Sequence, residues 1–142
     1  MLKERALEFY EMGYNCSQCI LLAFSQVYNL PFSEKELSVF CGLNNGFGIN
    51  EFCSAIVGGI LALGLMFEEE VVVELRVIFL TELRKNIKSF YCGRIKGAEN
   101  GCLAVIAEVC DVLEKIISEN KQEVAELWIK NCLNCSIGYL QS

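Results

Sequence analysis

Nine cysteines and no histidine stand among 142 residues, and that surplus beside that zero decides which chemistries this chain can run. Without imidazole, Ser/His and Cys/His catalytic pairs are excluded, and so is every zinc site that needs a histidine ligand. What remains are thiols, carboxylates, amines or a bound cofactor. Disulfide stapling belongs chiefly to exported proteins, whereas the same cysteine density in an intracellular chain points to metal binding or redox chemistry. The N-terminus, "MLKERALEFYEMGYN", interleaves charge with apolar residues from Lys3 onward. It does not read as a secretory signal, so a cytoplasmic protein is expected.

The cysteine with the most suggestive surroundings is Cys53, in "GINEFCSAIVGG". With Asn50 as the cap of a helix beginning near Glu51, Cys53 falls in the first turn, where unpaired backbone N–H groups and the positive end of the helix dipole favour a thiolate. The competing reading is a small hydrophobe, because Phe52, Ala55 and Ile56 are the neighbours a core supplies. Cys16 and Cys19 form a Cys-x-x-Cys pair, and Cys132 and Cys135 form a second. Two such pairs are the usual parts of a four-thiolate zinc or iron–sulfur site, although the long gap between them is far from compact zinc-ribbon spacing. Cys110 shares an apolar stripe with Ile106 and Leu113 and reads as core. Cys41 suits either a resolving thiol near Cys53 or helix-end packing. Arg94 and Lys96, just after Cys92, would lower its pKa if they folded back toward it. The glycines of "GLNNGFG" make no phosphate-binding pattern.

The elements that must position these thiols are helices. Apolar residues recur at three- and four-residue steps almost throughout, there is one proline, and no strand-like alternation of any length occurs. Helices are expected over Leu2–Glu11, Asn15–Tyr28, a short stretch from the Ser33/Glu36 capping box to about Cys41, Glu51–Phe67, Glu69–Lys88, Cys102–Glu119 and Gln122–Cys135. "SFYCGRIKGAENG" reads as a connection. In the helix Glu51–Phe67, Ser54, Gly58 and Ala62 lie one turn apart on a face that lets another helix approach closely. The result is an all-α, bundle-like chain of about six or seven helices, expected to be one domain over residues 1–142, with that small-faced helix in the middle.

Composition narrows the function further. Eighteen acidic against twelve basic residues, a formal charge of −6, argue against a general affinity for nucleic acid or anionic membranes. The uncharged run Phe52 to Phe67 spans about 24 Å as a helix, short of a roughly 30 Å hydrocarbon layer, so membrane insertion is not expected.

Several segments together resemble a known family. "CSAIVG" at Cys53 is similar to the Cys-Gly-Ala-x-x-Gly motif of the small C-GCAxxG-C-C proteins, with Ser54 where the family usually has glycine. "GYNCSQ" resembles its N-terminal Asn-Cys-[Ala/Ser]-Gln element, "GFG" its glycine-rich loop, and "GGILALGL" the continuation of the central motif. "YCGRIKG" and "GCLAVIAEVCDVLEKII" resemble the segments holding its third and fourth cysteines. The resemblance implies a cysteine-based redox role, carried in some members by selenocysteine, and it carries the four family cysteines onto Cys16, Cys53, Cys92 and Cys102. Those thiols could work as disulfide/dithiol couples, with Cys53 as the activated thiolate and an unidentified redox partner. They could also hold zinc or an iron–sulfur cluster, as could Cys16, Cys19, Cys132 and Cys135. A third reading is a non-enzymatic helical interaction domain with buried, inert cysteines and an apolar surface covered in a homodimer.

Overall fold

Asn15 shows how local chemistry starts an element. Its side-chain oxygen accepts a hydrogen bond from the Gln18 N–H at 3.0 Å, and the Gln18 side chain accepts from the Asn15 N–H at 3.2 Å. This reciprocal capping box opens the helix Cys16–Val27. Ser33 and Glu36 repeat the arrangement before Glu34–Ser38. The computed structural model describes residues 1–126, 129, 130 and 133. Among them the α-helices are α1 (Leu2–Glu11), α2 (Cys16–Val27), α3 (Glu34–Ser38), α4 (Ser54–Met66), α5 (Glu69–Leu83), α6 (Cys92–Lys96) and α7 (Gly101–Glu119). No β-strand occurs among the described residues, and no described helix is long and apolar enough to cross a membrane. The protein is all-α, as the periodicity requires.

Helix α4 lies in the middle, packed against α2, α5 and α7. Its sequence, SAIVGGILALGLM, is apolar all round, and Ala55, Ile56, Ala62 and Leu63 are buried. Such a helix is stable only when surrounded. The expected close approach occurs at Gly58, where an added Cβ would lie 3.0 Å from Ser17 Cα on α2. Phe24, Phe79, Ile106 and Leu113 complete the core from α2, α5 and α7. Removing each such side chain from water is worth about 1.5–3 kcal/mol. Helix α1 closes the other side with Leu2, Ala6 and Phe9 at one-turn intervals.

Three boundaries differ from expectation. Helix α4 begins at Ser54 rather than near Glu51, because Glu51–Cys53 are extended and paired with Phe90–Cys92. An antiparallel bridge joins Phe52 to Tyr91, with Cys53 N–H donating to Phe90 O at 2.8 Å and Cys92 N–H to Glu51 O at 2.6 Å. These bonds satisfy the backbone as a helical turn would have done. Asn50 therefore does not cap α4: its φ is +59° and Cys53 holds the cap position. Helix α5 stops at Leu83 rather than Lys88, and Asn86 turns to donate to Glu108 on α7 at 2.7 Å. The expected connection after Ser89 contains the short helix α6. Beyond α7, residues 121–126 are helical. Cys132 and Cys135 lie outside the described residues, so the second Cys-x-x-Cys pair does too.

Candidate functional site

Four of the helices present a cysteine at their N-terminal start. Cys16 is the first residue of α2, Cys53 caps α4, Cys92 is the first residue of α6, and Cys102 is the second of α7. The packing of α2, α6 and α7 around α4 and its bridge brings these starts together. Cys16 lies within electrostatic reach of Cys102 and Cys53, and Cys53 within reach of Cys92 and Cys102. Cys53 and Cys92 are also held by the backbone. In the bridge they lie diagonally on one face of a two-stranded ribbon, where side chains two residues out of register are neighbours.

Burial and the helix end act on the Cys53 sulfur in opposite directions. Cys53 is 5% exposed. Burial raises its pKa above the ordinary thiol value, while the N–H groups of Ile56 and Ala55 face the sulfur and favour its charged form. Neither makes a capping hydrogen bond to it. The low-pKa thiolate expected from helix position alone is therefore not the resting state, because desolvation outweighs the dipole. At Cys16 burial dominates again and pushes the thiol up to about 12, with the Cys102 and Cys53 sulfurs adding to the rise and the Ser54 hydroxyl opposing it. All seven described cysteines are free thiols.

Two further side chains lie beside these cysteines, and the sequence reading missed both in this position. Tyr10 on α1, half-buried, faces Cys102 and Cys16 with its phenol, whose pKa is raised first by burial and then by those sulfurs. Ser54, the departure from the family's glycine, is 3% exposed and sets its hydroxyl beside Cys16. Tyr10 carries no local signal. Its sequence distance from every cysteine but Cys16 hides a contact made by packing α1 against α2 and α7.

Of the remaining cysteines, Cys19 too lies within electrostatic reach of Cys16. Cys19, one turn beyond Cys16, is fully buried and directs its thiol to Tyr14 O at 3.4 Å, with its pKa pushed up to about 12 by burial. Cys110 is fully buried in the core face of α7, as its stripe implies, and burial pushes its pKa far up. Cys41 is exposed on the turn Val39–Leu43. Lys96 donates to Asn45 rather than turning to Cys92, and Arg94 is exposed. Among the described residues, no three His, Cys, Asp or Glu side chains are grouped to hold one metal ion.

The loop that precedes the bridge is unusual. Asn45, Gly46, Phe47 and Gly48 have consecutive positive φ angles of +56°, +57°, +61° and +80°, a left-handed turn that only glycine and, to a lesser degree, asparagine adopt easily. It brings Gly46 against the site: a Cβ there would lie 2.6 Å from Glu51 N and 2.8 Å from Cys92 Cβ. The glycine-rich loop thus lets backbone pass where a side chain could not.

The protein is thus all-helical, with Cys16, Cys92 and Cys102 within electrostatic reach of Cys53 at helix starts and no histidine anywhere in the chain. The chain matches the family model described as "Putative redox-active protein (C_GCAxxG_C_C)" over residues 14–116. It belongs to that family, and all four clustered cysteines lie inside the matched span. No curated protein and no solved structure matches the chain.

Proposed function

We propose that the protein carries electrons by thiol–disulfide exchange at Cys16, Cys53, Cys92 and Cys102. The observation that supports this reading is the convergence of four helix starts on four thiols, with the Ala55 and Ile56 N–H groups facing Cys53, favouring its thiolate and so easing its departure from a disulfide. In the oxidising half-reaction, two of these thiols and the disulfide of a redox partner yield a protein disulfide and two partner thiols. Two electrons pass to the partner, and both thiol protons leave with them. In reverse, a partner dithiol reduces the protein disulfide. The amides of Ala55 and Ile56 then receive Cys53 as the leaving thiolate before it takes up a proton in its buried surroundings. Cys53 is the central member because it neighbours Cys16, Cys92 and Cys102 alike.

The test is a count of titratable thiols on anaerobically purified, denatured protein before and after mild reductant, with metal analysis on the same sample. A pair of thiols per chain should appear on reduction in the wild type. That gain should disappear in Cys53→Ser and persist in Cys41→Ser, whose residue is exposed on the turn Val39–Leu43. Stoichiometric zinc or iron with the four thiols protected, or no reductant-dependent thiols at all, sinks the proposal.

A further inference from the structure

Helix α5 turns Leu75, Phe79 and Leu83 into the core. On its opposite side Glu70, Val73, Val77, Thr81 and Arg84 fall at three- and four-residue steps, and all five are exposed. Val73 and Val77 are 47% and 60% exposed, and Ile78 flanks them at 47%. The outward side of a core-packed helix ordinarily carries polar residues. This one has Val73 and Val77 in the middle, flanked by exposed Glu74 and Arg76, with an acid at one end and a base at the other.

We propose that this stripe is the contact between two copies of the chain, related by a two-fold axis through Val77. With the two α5 helices antiparallel about that axis, Val77 meets Val77 of the partner subunit and Val73 meets Thr81 of the partner subunit. Glu70 meets Arg84 of the partner subunit, and a two-fold interface repeats each of these contacts. A parallel pairing would instead set acid against acid and base against base, so the charge pattern selects the antiparallel one. The stripe from Glu70 to Arg84 covers about 21 Å, four helical turns, which is long enough for a helix pair to pack with its ridges in register. Arg84 lies over the Phe90 ring at 4.4 Å, which keeps its guanidinium at that end of the stripe.

The experiment is sedimentation equilibrium of the full chain under reducing conditions, over a concentration series reaching ~100 μM, a range that detects micromolar association. The wild type should dimerise reversibly. Val77→Arg puts two like charges on the axis and should abolish the dimer. Glu70→Arg and Arg84→Glu should each weaken association about ten-fold, because each converts two attractive pairs into two repulsive ones. The double variant Glu70→Arg/Arg84→Glu should recover the wild-type dissociation constant. Circular dichroism checks that each variant is folded, and the charge recovery does not depend on Val77→Arg being folded. Three results overturn the proposal: a wild-type monomer throughout, a dimer indifferent to Val77→Arg, or a double variant no better than the singles. A monomer in which Val77→Arg instead lowers thermal stability would show that the stripe packs within its own chain, and so also overturn the proposal.

Discussion

Cys53 holds two opposing effects in one side chain. A helix start favours the thiolate, but only by aiming partial charges at the sulfur, whereas burial removes the hydration that any full charge requires. Burial wins at rest, and the same holds for Cys16 and Cys19, both pushed up to about 12. This has a consequence for stability. In the unfolded chain these thiols lose their protons near pH 9, while the folded protein retains them to about 12. Between those limits the unfolded state binds fewer protons, so stability falls as pH rises. Below pH 9 the contribution is fully present. Urea midpoints of the reduced protein, measured anaerobically, should therefore be level up to about pH 9 and drop steadily above it. The sequence showed which thiols to examine, because each family cysteine sits in a recognisable motif. It could not show the balance at each sulfur, since desolvation depends on what packs over it.

The left-handed turn Asn45–Gly48 and the bridge that follows it decide how the cysteine-bearing helices begin. Phe47 at φ +61° is a costly conformation for an aromatic residue, and it is held by neighbours on both sides. Gly46 packs on Glu51 and Cys92, and Lys96 bonds Asn45. Gly46→Ala should cost about 2–3 kcal/mol, combining a strained φ with a clash against backbone that cannot swing away. Gly48→Ala, with φ +80° but open space around it, should cost only the backbone term, about 1 kcal/mol. Chemical denaturation of the two variants measures the difference, and equal losses would mean that the close approach to Cys92 contributes nothing. The helices themselves were largely readable from apolar periodicity and from the two capping boxes. The start of α4 was not, because Asn50 looks like a cap and only the distant segment Phe90–Cys92 draws Glu51–Cys53 into an extended pairing. Helix α6 was missed for a related reason: a five-residue helix is too short for a periodic signal.

Over the whole molecule, α4 organises the rest. Its small residues admit α2 and its apolar girth demands α5 and α7, so the starts of α2, α6 and α7 gather near its own. A disulfide between Cys53 and any of the other three clustered cysteines would join segments far apart in sequence and restrict the unfolded chain accordingly. The oxidised protein should be more stable than the reduced one by about 2–4 kcal/mol. Thermal melts with and without reductant measure this, and a lower midpoint on oxidation would show that the disulfide strains the helix starts. From residue order alone came the all-helical class, the central place of the Ser54–Met66 segment, the burial of Cys110 and the membership of Cys16, Cys53, Cys92 and Cys102 in a family pattern. These follow from short-range periodicity and local motifs. Packing alone decided that Cys16, Cys92 and Cys102 lie within electrostatic reach of Cys53 at helix starts, that Tyr10 and Ser54 lie beside them, and that burial holds Cys16 and Cys53 protonated, because proximity and desolvation arise between segments that are remote along the chain.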